Sequence, residues 1–175
     1  HNEDEIIAKD VRIGDTVIVQ RAGDVIPEVV RPVIEERPKN TAPFVFPTIC
    51  PECHEQAHRA AGEAAWRCLN HACPAVVREA LKFLVSKSGL DIQGIGGRWI
   101  EEFVDRGMVT SLADLFRLDR HDLLKLDRMG EKLADNFLAA IEQAKTSSTL
   151  PRFIAALGIR HVGEQTAKAL AARYR

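Results

Sequence analysis

The chain of 175 residues lacks the features that mark membrane and secreted proteins. It has no run of about 18 apolar residues, which excludes a membrane-spanning helix of the usual length. It opens with the acidic segment "HNEDE" instead of a basic and then apolar leader, so no secretory signal is recognisable. We therefore expect a cytoplasmic location, and we expect the natural protein to begin upstream of this chain.

Neither sign of charge is in excess. Lys and Arg total 24 and Asp and Glu total 25, so the net charge gives no indication of a polyanionic partner. The composition, 46% hydrophobic and 28% charged, is that of an ordinary folded protein. A nucleic-acid surface would therefore depend on where individual cations are placed.

Motifs of catalytic centres are also missing. The chain has no P-loop, no Gly-x-Ser-x-Gly and no His-Glu-x-x-His. Residues 125–128, Lys-Leu-Asp-Arg, resemble the Lys-x-Asp-Gly signature of enzymes that form a lysyl adenylate, but Arg128 replaces the glycine. We therefore predict no catalytic residue in this chain and no activity of the chain alone.

The four cysteines are confined to residues 50–73, with the spacing Cys-x2-Cys, fourteen residues, then Cys-x4-Cys. Such clustering, without a secretory signal, favours a metal over disulfides. Two knuckles of this kind provide a tetrahedral shell of four thiolates, which leaves no open position and suits a structural zinc ion. The predicted ligands are Cys50, Cys53, Cys68 and Cys73. His71, inside the second knuckle, is an alternative to Cys73.

The residues before the cysteines indicate β-structure. Residues 11–33 contain short β-branched runs that Gly-Asp and Ala-Gly-Asp turns interrupt, which predicts two or three short strands. Residues 35–47 contain three prolines and little periodicity, which indicates a linker or an extended strand leading to Cys50.

The residues after Cys73 indicate helices. Pro74 opens a segment whose apolar residues, Val77, Leu81, Leu84 and Val85, recur on one helical face. The predicted helices cover residues 75–87, 97–106, 111–117, 120–126, 131–145, 150–157 and 164–174.

Three segments of this helical part repeat one another around Gly96, Gly130 and Gly163, which are 34 and 33 residues apart. An apolar residue lies four positions before, one position before and seven positions after each glycine, which indicates an internal repeat. A turn followed at once by a helix points amide groups outward at the positive end of the helix dipole, which is a ready anion site. The alternative is a helical bundle whose glycines only close the turns.

The repeated turn resembles the helix-hairpin-helix motif of proteins that hold DNA by its phosphates. Gly94 occupies the first glycine position of the motif in the first copy, whereas Arg128 and His161 occupy it in the other two. Those two turns depart from the pattern, so we expect them to contact DNA more weakly or through side chains. Contacts of this kind go to the phosphate backbone and carry no sequence information. The candidate DNA-binding residues of the array are Gly94, Gly96, Arg98, Arg128, Gly130, Lys132, His161, Gly163 and Lys168.

The order of these parts, with the segments "AGDVIP", "GEAAWRC" and "LGIRHVG", closely resembles the bacterial NAD-dependent DNA ligases. The resemblance implies a multi-domain α+β fold. Residues 1–48 would be the end of an oligonucleotide-binding (OB) fold with a linker, residues 49–74 a four-cysteine zinc finger, and residues 75–175 a truncated, mainly α-helical array of helix-hairpin-helix motifs. Arg21 and the turn at Gly23 would be DNA contacts of the barrel segment.

The resemblance also implies a function: sealing of 5′-phosphate/3′-hydroxyl nicks in double-stranded DNA during replication and repair, with NAD and magnesium. The adenylated lysine would lie in an earlier domain. Such an enzyme would be a nucleoid-associated monomer in a bacterial cytoplasm. Two alternatives stay open: a DNA-repair or recombination binding protein without a ligase domain, and an interaction scaffold that touches no DNA.

Overall fold

A computed structural model of the chain describes residues 2–23 and 26–174 and divides the chain into two compact units, residues 1–69 and 70–175. The first unit consists mainly of short strands and turns, and the second is helical. This agrees with the predicted order of a β-segment, a cysteine-rich segment and a helical array along the chain. No helix in the described part of the chain is long and apolar enough to span a membrane.

The first unit begins with helix α1 (Glu3–Ala8) and an antiparallel hairpin of strands β1 (Val17–Ala22) and β2 (Ile26–Pro32). The pairing shifts register between Ile18 and Val19, as in a β-bulge. The two strands confirm the β-structure predicted for residues 11–33. Helix α1 was not predicted, although the side chain of Asn2 caps it by accepting a hydrogen bond from the Asp4 amide at 3.2 Å.

A charged cluster closes the base of this hairpin. The Arg37 guanidinium, just after a 3-10 helix (Ile34–Glu36), contacts Asp10 at 2.7 Å and Asp15 at 2.9 Å, and the Asp15 side chain is fully shielded from solvent. Hydrogen bonds from Arg37 lower the pKa of both carboxyl groups. Arg37 therefore holds the segment before β1 against the start of the linker.

Two further strands, β3 (Ala57–His58) and β4 (Arg67–Cys68), form a small antiparallel hairpin within the cysteine-rich segment. Gly62 lies in its loop with φ +81°, a left-handed conformation that glycine adopts at little cost. The linker residues 37–48 form neither helix nor strand, as their prolines predict.

The second unit is a helical array built around one apolar core. Val77, Leu81, Leu84 and Val85 are all buried, which confirms the predicted apolar face of the first helix. Pairs of consecutive helices form the three repeated hairpins. The helices are α2 (Pro74–Val85), α3 (Gly97–Asp105), α4 (Leu112–Leu115), α5 (Arg120–Leu123), α6 (Glu131–Ser147), α7 (Leu150–Ala156) and α8 (Glu164–Arg173).

The repeated apolar positions are packed differently in the three copies. Ile92 and Phe103 in the first copy, and Leu126 and Phe137 in the second, are buried in the core. In the third copy Ile159 is 50% exposed. The first two hairpins therefore share a tight core, and the third is packed more loosely.

Candidate metal centre and nucleic-acid interface

The four cysteines converge. Within the described part of the chain, the sulfur atoms of Cys50, Cys53, Cys68 and Cys73 all lie within 4.8 Å of one another, and those of Cys53 and Cys68 are 3.6 Å apart. Backbone hydrogen bonds shape both knuckles: the Cys50 amide donates to Glu55 at 2.8 Å and the Cys73 amide donates to Asn70 at 3.0 Å. Strand β4 and the start of α2 thus present the second pair of thiols to the first.

This donor set fits zinc. Four thiolates at such distances form a closed tetrahedral shell, which is typical of structural zinc and leaves no position for a reacting water. Hydrogen bonds from the backbone amides of Cys53 and Glu52 lower the pKa of the Cys50 thiol to about 7, and a metal binds the deprotonated form. Cys73 is buried, whereas His71 is exposed and is not among the converging side chains of the described residues.

The three hairpin turns have the same backbone shape. The residue at the first glycine of the motif has positive φ in each copy: +85° at Gly94, +66° at Arg128 and +63° at His161. Arg128 and His161 therefore replace the glycine of the motif without changing the backbone conformation of the turn. That these two turns contact DNA more weakly or through side chains stays a prediction. The left-handed conformation costs a non-glycine residue roughly 1–2 kcal/mol, so the fold holds Arg128 and His161 in this shape against their local preference.

The second glycine of each turn is the N-cap of the following helix. Gly96, Gly130 and Gly163 have φ of −92°, −83° and −85°, which other residues also adopt. A Cβ atom added at any of the three would meet nothing within 4 Å. Neither backbone strain nor internal packing therefore requires glycine at these positions.

These glycines leave helix amides without partners inside the chain. The first amides to donate back to the N-cap carbonyl belong to Trp99 in α3, Leu133 in α6 and Ala167 in α8. Among the described residues, no side chain caps the preceding amides of these three helices. Each turn therefore presents open N–H groups at the positive end of a helix dipole.

The cations near the turns differ in their pairing. Arg98, Arg128 and Lys132 are exposed, and among residues 2–23 and 26–174 their side chains make no hydrogen bond or ion pair. Lys168 instead bonds Glu164 at 2.6 Å, and this bond lowers the pKa of the Glu164 carboxyl. Arg98, Arg128 and Lys132, at the first two turns, thus carry positive charge that no side chain of the described residues neutralises, whereas Glu164 neutralises Lys168 near the third turn.

The first two hairpins pack against each other. The Trp99 ring meets the edge of Phe137 with ring centres 5.6 Å apart, and a Cβ atom at Gly94 would lie 3.5 Å from the Phe137 ring. That distance is an ordinary van der Waals contact, so it is the positive φ of Gly94, and not the packing against α6, that favours glycine there. The sequence predicted that Phe137 occupies a repeated apolar position, but it did not predict the contact of Phe137 with the first turn.

The candidate contacts of the barrel segment lie at the end of the β1–β2 hairpin. Arg21 is exposed on β1 opposite Pro27, and Gly23 follows it with φ +63°. Asp24 and Val25, which complete the predicted Ala-Gly-Asp turn, lie outside the described residues.

Known protein families match consecutive segments of the chain. Residues 1–41 match the NAD-dependent DNA ligase OB-fold domain, and residues 50–75 match the NAD-dependent DNA ligase C4 zinc finger domain. The chain belongs to the NAD-dependent DNA ligase family. In the same chain, residues 89–143 match a SAM-like helix-hairpin-helix tandem and residues 152–175 match a helix-hairpin-helix motif.

Three similar proteins are named DNA ligases. The chain is 63% identical over 175 residues to a DNA ligase of Nitratidesulfovibrio vulgaris strain Miyazaki F, and the alignment covers 99% of this chain and 22% of that protein. It is 63% identical over 174 residues to a DNA ligase of Oleidesulfovibrio alaskensis, and this alignment covers 99% of this chain and 25% of that protein. It is 59% identical over 174 residues to a DNA ligase of Desulfovibrio desulfuricans, and this alignment covers 99% of this chain and 24% of that protein. The chain spans about a quarter of the length of these relatives.

Proposed function

We propose that this chain is the part of an NAD-dependent DNA ligase that holds duplex DNA by its phosphates. The observation that supports this most directly is that neither the backbone conformation nor the packing of the chain requires glycine at the N-caps Gly96, Gly130 and Gly163. A helix N-terminus without a Cβ atom lets a phosphate oxygen approach the amides closely. The same arrangement occurs three times, which favours an extended backbone partner over a single small ligand.

The choice of N-cap residue supports the same conclusion. At α1 and α5 the chain uses Asn2 and Asp119, whose side chains accept amide hydrogen bonds. A polar side chain of this kind stabilises a helix more than glycine does. Gly96, Gly130 and Gly163 cannot supply that stabilisation, because glycine has no side chain. The first amides of α3, α6 and α8 therefore stay available to an external anion.

The free cations fit the same partner. Arg98 and Lys132 lie in the first turns of α3 and α6, beside the open amides. Arg128 lies in the second turn itself. Cations without an internal partner are available to displace counterions from a phosphate backbone. We therefore propose that the first two hairpins bind more strongly than the third, where Lys168 is paired with Glu164.

For the complete protein we infer the sealing of 5′-phosphate/3′-hydroxyl nicks with NAD and magnesium during replication and repair. Its relatives are named DNA ligases, and the activity would reside in residues outside this chain. Within the chain we propose three domains, residues 1–48, 49–74 and 75–175. We further propose that Arg21 and Gly23 touch the nicked duplex, and that the protein is a monomer associated with the nucleoid in the cytoplasm.

The zinc ion would have a structural role. Cys50, Cys53, Cys68 and Cys73 would hold it, and a closed thiolate shell stabilises a short segment that has little apolar core of its own. With four thiolate ligands, the ion would have no free position at which to take part in a chemical step.

Binding of the chain to nicked and intact duplexes over a salt series tests the proposal. We expect affinity to fall steeply with salt and to vary little with base sequence, since phosphate contacts dominate. Comparison of the two duplexes shows whether the chain itself detects the nick. Binding that is absent at low salt, or insensitive to salt, would instead favour an interaction scaffold.

A further inference from the structure

Helix α1 is too small to be stable by itself. It has six residues, all within the described part of the chain, and none of them is buried. Helices of this length are marginal in water, because nucleation is costly and few hydrogen bonds follow it. The order of α1 must therefore come from contacts with other parts of the first unit.

The contacts at its first turn lead to the zinc-finger hairpin. Arg59 donates from Nη1 to Glu3 Oε2 at 2.8 Å and from Nη2 to the Asp4 carboxylate. The Trp66 indole N–H donates to the same Glu3 oxygen at 2.8 Å. The Glu3 and Arg59 side chains are only 22% and 23% exposed, so solvent screens this charge-assisted network less than a surface ion pair.

The zinc-finger hairpin positions both donors. Arg59 follows the last residue of β3, and Trp66 precedes the first residue of β4, whose second residue is Cys68. The Trp66 ring also stacks on Phe46, with ring centres 6.5 Å apart and an angle of 21° between the planes. Both donors therefore belong to the β3–β4 hairpin, which lies between the first and second pairs of cysteines.

The other end of α1 is attached to the β1–β2 hairpin. Lys9, the C-cap residue of α1, donates from Nζ to the Val29 carbonyl at 2.9 Å and to the Glu28 carboxylate at 3.1 Å. A continuous series of polar contacts thus runs from the zinc-finger hairpin through α1 to β2.

We propose that Glu3, Asp4, Arg59 and Trp66 form a zinc-dependent latch, the α1 latch, which positions α1 and through it the β1–β2 hairpin. Zinc loss would release α1 although α1 contains no zinc ligand. These four are positioning residues. They do not lie in the β1–β2 hairpin that carries Arg21, and they act on it only through α1. The inference concerns the folded chain alone and does not depend on DNA binding.

Hydrogen exchange of the whole chain tests the α1 latch. Amides of residues 3–9 are compared in four samples: zinc-loaded and chelator-treated, each with the natural sequence and with Glu3→Ala. We expect chelation of the natural chain to speed exchange of these amides about tenfold or more. Glu3→Ala should do the same in the zinc-loaded state at unchanged zinc content. Chelation of Glu3→Ala should then add little, since the latch is already open.

If chelation and Glu3→Ala open the same latch, their effects on exchange are not additive. If each destabilises α1 independently, the two effects add. Glu35→Ala, at an exposed glutamate of the 3-10 helix in the same unit, is the matched control and should leave residues 3–9 protected. The amides of α2 to α8 report that the rest of the chain stays folded. Glu3→Gln, which preserves the side-chain size, should give an intermediate rate. Unchanged exchange in residues 3–9 after chelation, or fully additive effects of chelation and Glu3→Ala, would overturn the proposal.

Discussion

Replacing Gly130 by serine should stabilise the chain and weaken its binding to DNA. Gly130 has φ −83° and ψ 161°, an ordinary N-cap conformation, and a new Cβ would meet nothing within 4 Å. Serine is a better N-cap by a few tenths of a kcal/mol, and it restricts the unfolded chain more than glycine does, by about 0.4–1 kcal/mol. We therefore expect the free energy of unfolding to rise by roughly 1 kcal/mol.

The same serine should oppose phosphate binding in two ways. Its side chain occupies the space that the phosphate enters, and its hydroxyl accepts a hydrogen bond from the amides that the phosphate would use. Loss of one hydrogen bond to a charged group costs about 1.5–3 kcal/mol, which weakens binding by about 10- to 150-fold. Urea unfolding and fluorescence anisotropy with a labelled duplex measure the two effects.

A matched control is available at Thr149, the N-cap of α7, which has φ −84° and ψ 154° but lies outside the hairpin turns. Thr149→Ser should leave DNA affinity unchanged. If Gly130→Ser binds DNA as tightly as the natural chain, the reasoning that glycine is retained for an external phosphate is wrong at this turn.

Three further predictions test the site and its surroundings. Arg98→Ala should reduce the slope of log affinity against log salt by about one, and Lys168→Ala by less, because Glu164 already neutralises Lys168. Cys73→Ser should abolish stoichiometric zinc binding and His71→Ala should not, as a colorimetric zinc assay would show; zinc retention by Cys73→Ser would refute the four-thiolate shell. Hydrogen bonds from nearby hydroxyl groups lower the pKa of Asp114 to about 2 from 3.8. Its stabilisation should therefore be complete above about pH 4 and lost between about pH 4 and 2, so that the stability difference from Asp114→Asn shrinks across that range.

Local sequence signals predicted most of the helical unit. The helix predicted at 97–106 is Gly97–Asp105, because Gly96 caps it and an apolar period of 3.6 continues to Val104. The helix predicted at 120–126 ends earlier, at Leu123. The chain must turn there to bring Arg128 into the left-handed conformation of the second hairpin. Tertiary geometry thus overrides propensity at the turn.

The contacts that join distant segments could not be predicted in this way. Glu3 meets Arg59 and Trp66 across 56 and 63 residues of sequence, and no periodicity or spacing relates them. The same holds for Arg37, which contacts Asp15 22 residues earlier. The metal ligands were predictable because a chelating knuckle is a short-range pattern, whereas single charge pairs have no signature in one sequence.

The most direct test of phosphate binding by the hairpins is the response of individual amides to DNA. In a titration of the isotope-labelled chain with a short duplex, chemical shifts of residues 96–98 and 130–132 should change first and most. Smaller changes should follow at residues 163–165, where Lys168 is paired with Glu164. Saturating duplex that leaves all three sets unshifted, while other surfaces respond, would contradict the proposal that these helix N-termini hold the DNA backbone.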